Sequence, residues 1–178
     1  MTYQPKLLQL IIEPDPLLHQ VSQPIADPSQ VDQFLIEDMI KTMHANDGIG
    51  LAAIQIGVVK RLFVMDINDE LTVFVNPEII ERSPELVVFS EGCLSLPTIR
   101  ADITRHDAIT VKFFDRWGTV NTRIFSGLSS ICIQHELDHL NGITFLDHLS
   151  KLKRDIFLKK LQKLRSQKSL QNELLPKK

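Results

Sequence analysis

Residues 135–139 read His-Glu-Leu-Asp-His. On a helix, His135 and His139 stand one turn apart on one face, so both imidazoles reach a single metal ion. Glu136 leaves the helix about 100° round from His135, close enough to a water at the ion to take its proton without being a ligand. Two ligands and a base are the minimum set for metal-assisted hydrolysis of an amide. An amphipathic helix with two surface histidines shows the same spacing. A third ligand and an oxyanion stabiliser elsewhere in the chain decide between the two readings.

Counting from the pentapeptide tests several layouts. A third histidine six residues after the second would fall at position 145, which holds Phe145 although Gly142 matches the intervening glycine. A glutamate ligand some twenty or more residues on would have to be Glu173, inside a strongly basic tail. Cys132 shares the helical face of the two histidines, but it lies about 4.5 Å before His135 along the axis and the ion about 3 Å beyond it. A thiol is too short for that span, so Cys132 reads as core or pocket wall. His106 and His148 remain open on position alone. Cys93 sits in Glu91-Gly92-Cys93-Leu94-Ser95, where Gly92 permits a tight turn and Leu94 can aim its amide N–H at whatever is bound. A Cys-His-His set with one open position is a catalytic rather than a structural site.

These residues need elements to position them. Four prolines between residues 14 and 28 predict an extended arm. Val31, Phe34, Leu35, Met39, Ile40 and Met43 recur at helical period, which predicts a helix from Pro28 to about Asn46 capped by Asp27. Strands are expected at Arg61–Ile67, Leu71–Val75, Ile79–Glu81, Glu85–Phe89 and Ile109–Asp115, with Arg116–Gly118 turning into a partner strand Thr119–Phe125. The metal helix is expected over Leu128–Asn141 and ended by Gly142. A last helix is expected from Leu149 to Leu164, with Leu152, Ile156, Leu161 and Leu164 inward. The layout is α+β: short, mostly antiparallel strands in small sheets around a central helix carrying the HExxH motif, with an N-terminal and a C-terminal helix. No repeat, low-complexity segment or linker interrupts it. Residues 1–164 are expected to form one catalytic domain and 165–178 a basic, disordered tail.

The bulk properties agree. The chain has 178 residues, 43% hydrophobic and 24% charged, as in a soluble globular domain. No apolar run approaches the ~20 residues of a membrane span, and the first residues lack a secretory layout. Two cysteines make no disulfide framework, so a reducing cytoplasm is the expected location. The net charge of −2 hides an asymmetry: residues 151–178 hold ten Lys or Arg against Asp155 and Glu173. Such a tail is either the solvated face of a terminal helix or a surface for a polyanion such as RNA.

Three segments together resemble one family. Gly48-Ile49-Gly50-Leu51-Ala52-Ala53-Ile54-Gln55, Glu91-Gly92-Cys93-Leu94-Ser95 and Gln134-His135-Glu136-Leu137-Asp138-His139 look like the three signature motifs of bacterial peptide deformylases, in their order and approximate spacing. The chain departs from the usual pattern at Leu17 and His19, where relatives often carry arginines, and at Thr104, where proline is common. The resemblance implies a hydrolase that removes the N-formyl group from formyl-methionine of new proteins and releases formate. It implies Cys93, His135 and His139 as ligands of one divalent metal, Fe(II) in the cell with Zn, Ni or Co as replacements. It also implies Glu136 as base and then acid, with Gln55 and the Leu94 N–H as oxyanion donors. Ile49, Phe89, Leu128, Ile131 and Cys132 are the matching methionine-pocket positions, Gly48 and Gly50 let a peptide backbone pair closely with the Ile49–Gly50 segment, and Gly50 and Gly92 count among the substrate-binding positions. Arg100 is expected near the cleft rim and Asp138 in an ion pair. The implied partners are formyl-Met nascent peptides and, through the basic C-terminal helix, the ribosome near its exit; no membrane is implied. A broader metallo-amidase using the same site, or a non-catalytic metal-binding protein, are the readings an assay of formyl-Met against acetyl-Met peptides would separate.

Overall fold

The computed structural model describes residues 3–174. The central sheet is antiparallel, with strands β1 (Gly50–Ala52), β2 (Leu62–Ile67), β3 (Glu70–Arg82), β6 (Ala108–Phe114) and β7 (Val120–Ser126) in the order β1-β2-β3-β6-β7. Strands β4 (Leu86–Cys93) and β5 (Leu96–His106) form a separate long hairpin. Three helices complete the fold: α1 (Gln33–Ala45), α2 (Leu128–Leu140) and α3 (Lys151–Leu174).

The β2 sequence explains why this sheet is covered on both sides. Phe63, Met65 and Ile67 alternate with Leu62 and Val64, and the two sets point to opposite faces. The first set joins Phe74, Phe113 and Phe125 against Ile133, Leu137 and Leu140 of α2. The second set packs with Val73 and Val75 against Ile36, Met39 and Met43 of α1. A third cluster ties the hairpin to the C-terminal part, with Leu96, Ile99 and Ile103 of β5 against Phe145, Leu146, Phe157, Leu158 and Leu161. Helix α2 thus lies between the central sheet and the hairpin.

Several elements differ from expectation. Helix α1 starts at Gln33, with Asp32 accepting from the amides of Phe34 and Leu35, while Asp27 caps a separate 3-10 turn at Pro28–Gln30. The arm is extended except for a 3-10 turn at Pro16–His19 capped by Asp15. The two expected pieces 71–75 and 79–81 are one strand, β3, whose pairing with β6 shifts register between Val75 and Glu78. Asn76 there has φ of 48°, and that bulge absorbs Pro77. Short β1 and long β5 were not foreseen. Helix α2 ends as expected, with Gly142 at φ of 73°. In α3, Leu152 and Ile156 are 72% and 55% exposed, against the inward placement expected of them, and the buried face is Phe157, Leu158 and Leu161. Leu164 is half-buried. The helix also continues to Leu174, where a disordered tail was expected from 165; residues 175–178 lie outside the described residues.

Candidate metal centre and cleft

Helix α2 is buried on nearly every side, so its polar residues require internal partners. Ser130 donates to the His106 carbonyl, and the Gln134 side chain both donates to that carbonyl and accepts from the His106 amide. His135, Glu136 and His139 are 8%, 3% and 1% exposed. They face the end of β4, where strand alternation puts Glu91 and Cys93 on one side.

Here three donors converge. Cys93 Sγ and one nitrogen from each of His135 and His139 lie within 4.8 Å of one another, the only such cluster among the described residues. Cys93 Sγ is 3.1 Å from His139 Nε2. His135 Nδ1 donates to Glu91 Oε2 at 2.7 Å, which leaves Nε2 free to ligate a metal. The set is one soft thiolate and two imidazoles, which suits a divalent transition metal. Burial would drive positive charge off His135, yet the hydrogen bonds with Cys93 and Glu91 outweigh it and push its pKa well up. His139, by contrast, is held well below its ordinary value, first by burial and then by His135, and so offers a neutral ring.

Glu136 stands beside the cluster with Oε2 buried and without a hydrogen-bond partner among the described residues. Burial pushes its pKa up to about 7, with Glu91 adding to the shift and His135 opposing it. Gln55 is the third member of a 3-10 turn, Ala53–Ile56. Its Oε1 accepts from the Ala52 amide at 2.8 Å, so Nε2 is the end turned to the site, 3.2 Å from Ser95 Oγ and 3.4 Å from Cys93 Sγ. Leu94 occupies the turn between β4 and β5, beside a register shift at Gly92–Cys93.

A cleft of about 710 Å³ runs over these groups, lined among others by Gly48, Ile49, Gly50, Phe89, Gly92, Leu94, Arg100, Leu128, Ile131 and Cys132. Every sequence-assigned site residue except His139 lines it, and His139 closes the donor set from behind. Gly50 leaves room for two cleft groups: a Cβ there would lie 2.5 Å from Glu136 Oε1 and 2.8 Å from Cys132 Sγ. Cys132 is buried pocket wall, outside the donor cluster, and its thiol is pushed up by burial. Arg100 Nη2 donates to the Ser90 carbonyl at 2.8 Å, which lays the side chain along the rim over Gly92. His106 and His148, left open by position, lie outside the cluster: His106 Nδ1 donates to the Ser83 carbonyl and His148 pairs with Asp138.

Three residues had no role assigned from sequence. Glu91 orients His135, Arg105 forks onto Glu91, and Ser95 supports Gln55. The signal for Glu91 was its two-residue spacing from Cys93 on a strand; nothing local marked Arg105, fourteen residues on.

Comparison with known proteins points the same way. Residues 7–155 match the family model described as polypeptide deformylase. A peptide deformylase of Rhizobium meliloti (strain 1021) is 46% identical over 168 residues, covering 92% of this chain and 94% of the relative. A crystal structure of peptide deformylase from Ehrlichia chaffeensis superposes with a TM-score of 0.88 at 37% identity, covering 92% of this chain and 99% of that one. A Met-Ala-Ser-bound class I type b peptide deformylase from Acinetobacter baumannii gives a TM-score of 0.77 at 29% identity, over 82% of this chain and all of the other. With a family model spanning most of its length and a relative this similar, the chain belongs to the polypeptide deformylase family.

Proposed function

We propose that Cys93, His135 and His139 hold one divalent cation and that Glu136, Gln55 and Leu94 act around it on an N-formyl amide. The chain is a metal-dependent hydrolase that removes the formyl group from newly made peptides, in common with its family. A divalent cation held by Cys93, His135 and His139 would supply Lewis acidity toward the formyl oxygen and would lower the pKa of water at the site. Glu136 takes the proton of the attacking water. Its carboxyl, raised to about 7, then returns that proton to the departing methionine amine, because a group poised near neutral pH serves both directions. The Gln55 amide nitrogen and the Leu94 N–H donate to the formyl oxygen as negative charge develops there. Formate and a free N-terminus leave.

Ile49, Phe89, Leu128, Ile131 and Cys132 give the methionine side chain an apolar wall, the missing side chain of Gly50 lets the peptide backbone lie close, and that of Gly92 leaves room for Arg100 at the rim. Arg100 receives the downstream backbone at the rim. The Acinetobacter relative, bound to Met-Ala-Ser, supports a peptide that begins with methionine as the occupant of this cleft. Fe(II) is the proposed cellular metal, with Zn, Ni or Co able to replace it, since a thiolate with two imidazoles accepts all four. The proposed setting is the bacterial cytoplasm, on nascent chains at the ribosome. No helix among the described residues is long and apolar enough to cross a membrane.

The observation that carries this reading is the buried, base-positioned Glu136 beside three convergent donors. Glu136→Gln is expected to keep one metal per chain while turnover of a formyl-Met peptide falls by about 10²–10⁴-fold. The parent chain should leave the acetyl-Met peptide intact. Turnover near the parent rate in Glu136→Gln overturns the role given to this carboxylate.

A further inference from the structure

Behind the metal centre, on the opposite side of α2 from the substrate cleft, lies a second cavity of about 690 Å³ between β3, β5 and the helix. Arg105, Asp138 and His148 lie in its wall. They form a continuous chain of contacts back to a metal ligand. His148 Nε2 donates to Asp138 Oδ2 at 2.7 Å. Asp138 Oδ2 accepts from Arg105 Nη1 at 2.6 Å. Arg105 forks onto Glu91, with Nε to Oε1 at 2.7 Å and Nη2 to Oε2 at 3.1 Å. Glu91 Oε2 receives His135 Nδ1 at 2.7 Å.

The geometry points to Arg105 as a positioning residue for the metal centre: it clamps Glu91 against His135 and is held from the far side by Asp138 and His148, so that ion retention is set from the second cavity rather than from the substrate cleft. This rests on Cys93, His135 and His139 being the ligands.

Three features carry it. Arg105 and Glu91 are 5% and 4% exposed, and a forked arginine–carboxylate pair in that setting fixes both planes. A buried pair of this kind contributes little net stability, so fold stability alone gives no reason for it. Arg105 is also shared. One guanidinium faces two carboxylates, so Glu91 is not fully neutralised and keeps negative charge toward His135. A carboxylate accepting the outer N–H of a ligand histidine fixes its tautomer and raises its basicity. Loosening Asp138 lets Arg105 turn fully to Glu91, which weakens that effect; shortening Arg105 frees Glu91 to swing away from the ring.

The test loads the chain with Co(II) or Ni(II) and follows ion loss to an excess of chelator at fixed pH. Arg105→Lys, which keeps the charge but loses the fork, is expected to release the ion about tenfold faster, within the 10–100-fold range of such outer partners. Asp138→Asn, at a partly exposed site, should also release faster and keeps the question answerable if Arg105→Lys does not fold. Because the chain acts in series, the double variant should release no faster than Arg105→Lys alone. Arg116→Ala, which breaks an ion pair with Glu37 on α1, is the control for general loosening and should release at the parent rate. Parent-like release in both Arg105→Lys and Asp138→Asn, or additive effects in the double variant, overturns the inference. A parent chain that takes up no metal overturns instead the assignment of the centre.

Discussion

At the residue scale the site depends on what is absent as much as on what is present. Gly50 passes so close to Glu136 and Cys132 that a single methyl group would overlap both. Gly50→Ala is therefore expected to displace the carboxylate from the cleft and cut kcat by about 10²-fold, the usual cost of an ångström of misplacement, with the bound metal retained. Steady-state kinetics beside metal analysis checks this; kcat within a few-fold of the parent refutes it. Glu91 makes a different, pH-dependent contribution. Burial pushes its carboxyl up, but the hydrogen bonds from His135 and Arg105 prevail and hold it at about 2, below its ordinary 4.5. A carboxylate whose folded pKa is depressed contributes stability above the ordinary value, lost as pH falls through the folded value. Urea unfolding of the metal-free chain between pH 4.5 and 2 should thus show a smaller pH-dependent loss in Glu91→Gln than in the parent, although the variant is less stable at pH 7. Equal pH dependence would show that these hydrogen bonds do not hold the Glu91 carboxyl below its ordinary value in the folded chain.

At the scale of elements, the helices and the central strands were largely legible because their burial is one-sided or continuous. Helix α2 was fixed at both ends by Gly127 and Gly142, and its histidine spacing needed only a helix to become a site. Strand β5 was not legible: Leu96, Ile99 and Ile103 do not alternate cleanly, since Thr98 sits at φ of 67° and breaks the period. Nor could the sequence foretell that β4 and β5 leave the main sheet, because register across a hairpin depends on partners far along the chain. That separation matters to the site, as it carries Cys93 and Glu91 across to face α2. Helix α3 shows a tertiary override of pattern. Its leucines and isoleucines offer two candidate stripes, and packing against β5 selects the one centred on Leu161. Leu161→Ala is expected to cost about 2–5 kcal/mol, whereas Leu152→Ala, at an exposed position, should fall within about 0.5 kcal/mol of the parent. Denaturant unfolding of the pair distinguishes the observed face from the one the periodicity favoured, and comparable losses would show that Leu152 is covered in solution.

At the scale of the whole molecule, charge is divided as sharply as the fold is. Outside the last 28 residues the acids outnumber the bases, while the C-terminal segment carries ten Lys or Arg against two acids. Lys151, Lys153, Lys159, Lys160 and Lys163 are all exposed on α3, and Leu152 and Ile156 are exposed with them. None of the site residues lies on this helix, so its outward surface is free of any duty to the chemistry. A cationic rod on an acidic body orients the molecule in the field of a polyanion and adds attraction that weakens as salt shortens its range. For an enzyme of nascent chains the proposed polyanion is the ribosome, and the rod would bring the cleft to the peptide as it emerges. Deleting residues beyond Leu164 removes Arg165, Lys168, Lys177 and Lys178 with one acid, and keeps Leu161 in its core contact. Co-sedimentation with ribosomes in low salt should then fall, and the loss should narrow as salt is raised, while kcat/KM on a short formyl-Met peptide stays at the parent value. Unchanged sedimentation would leave α3 as a packing helix with a solvated face. A fall in short-peptide activity would mean instead that its outer turns brace β5, and through it Cys93.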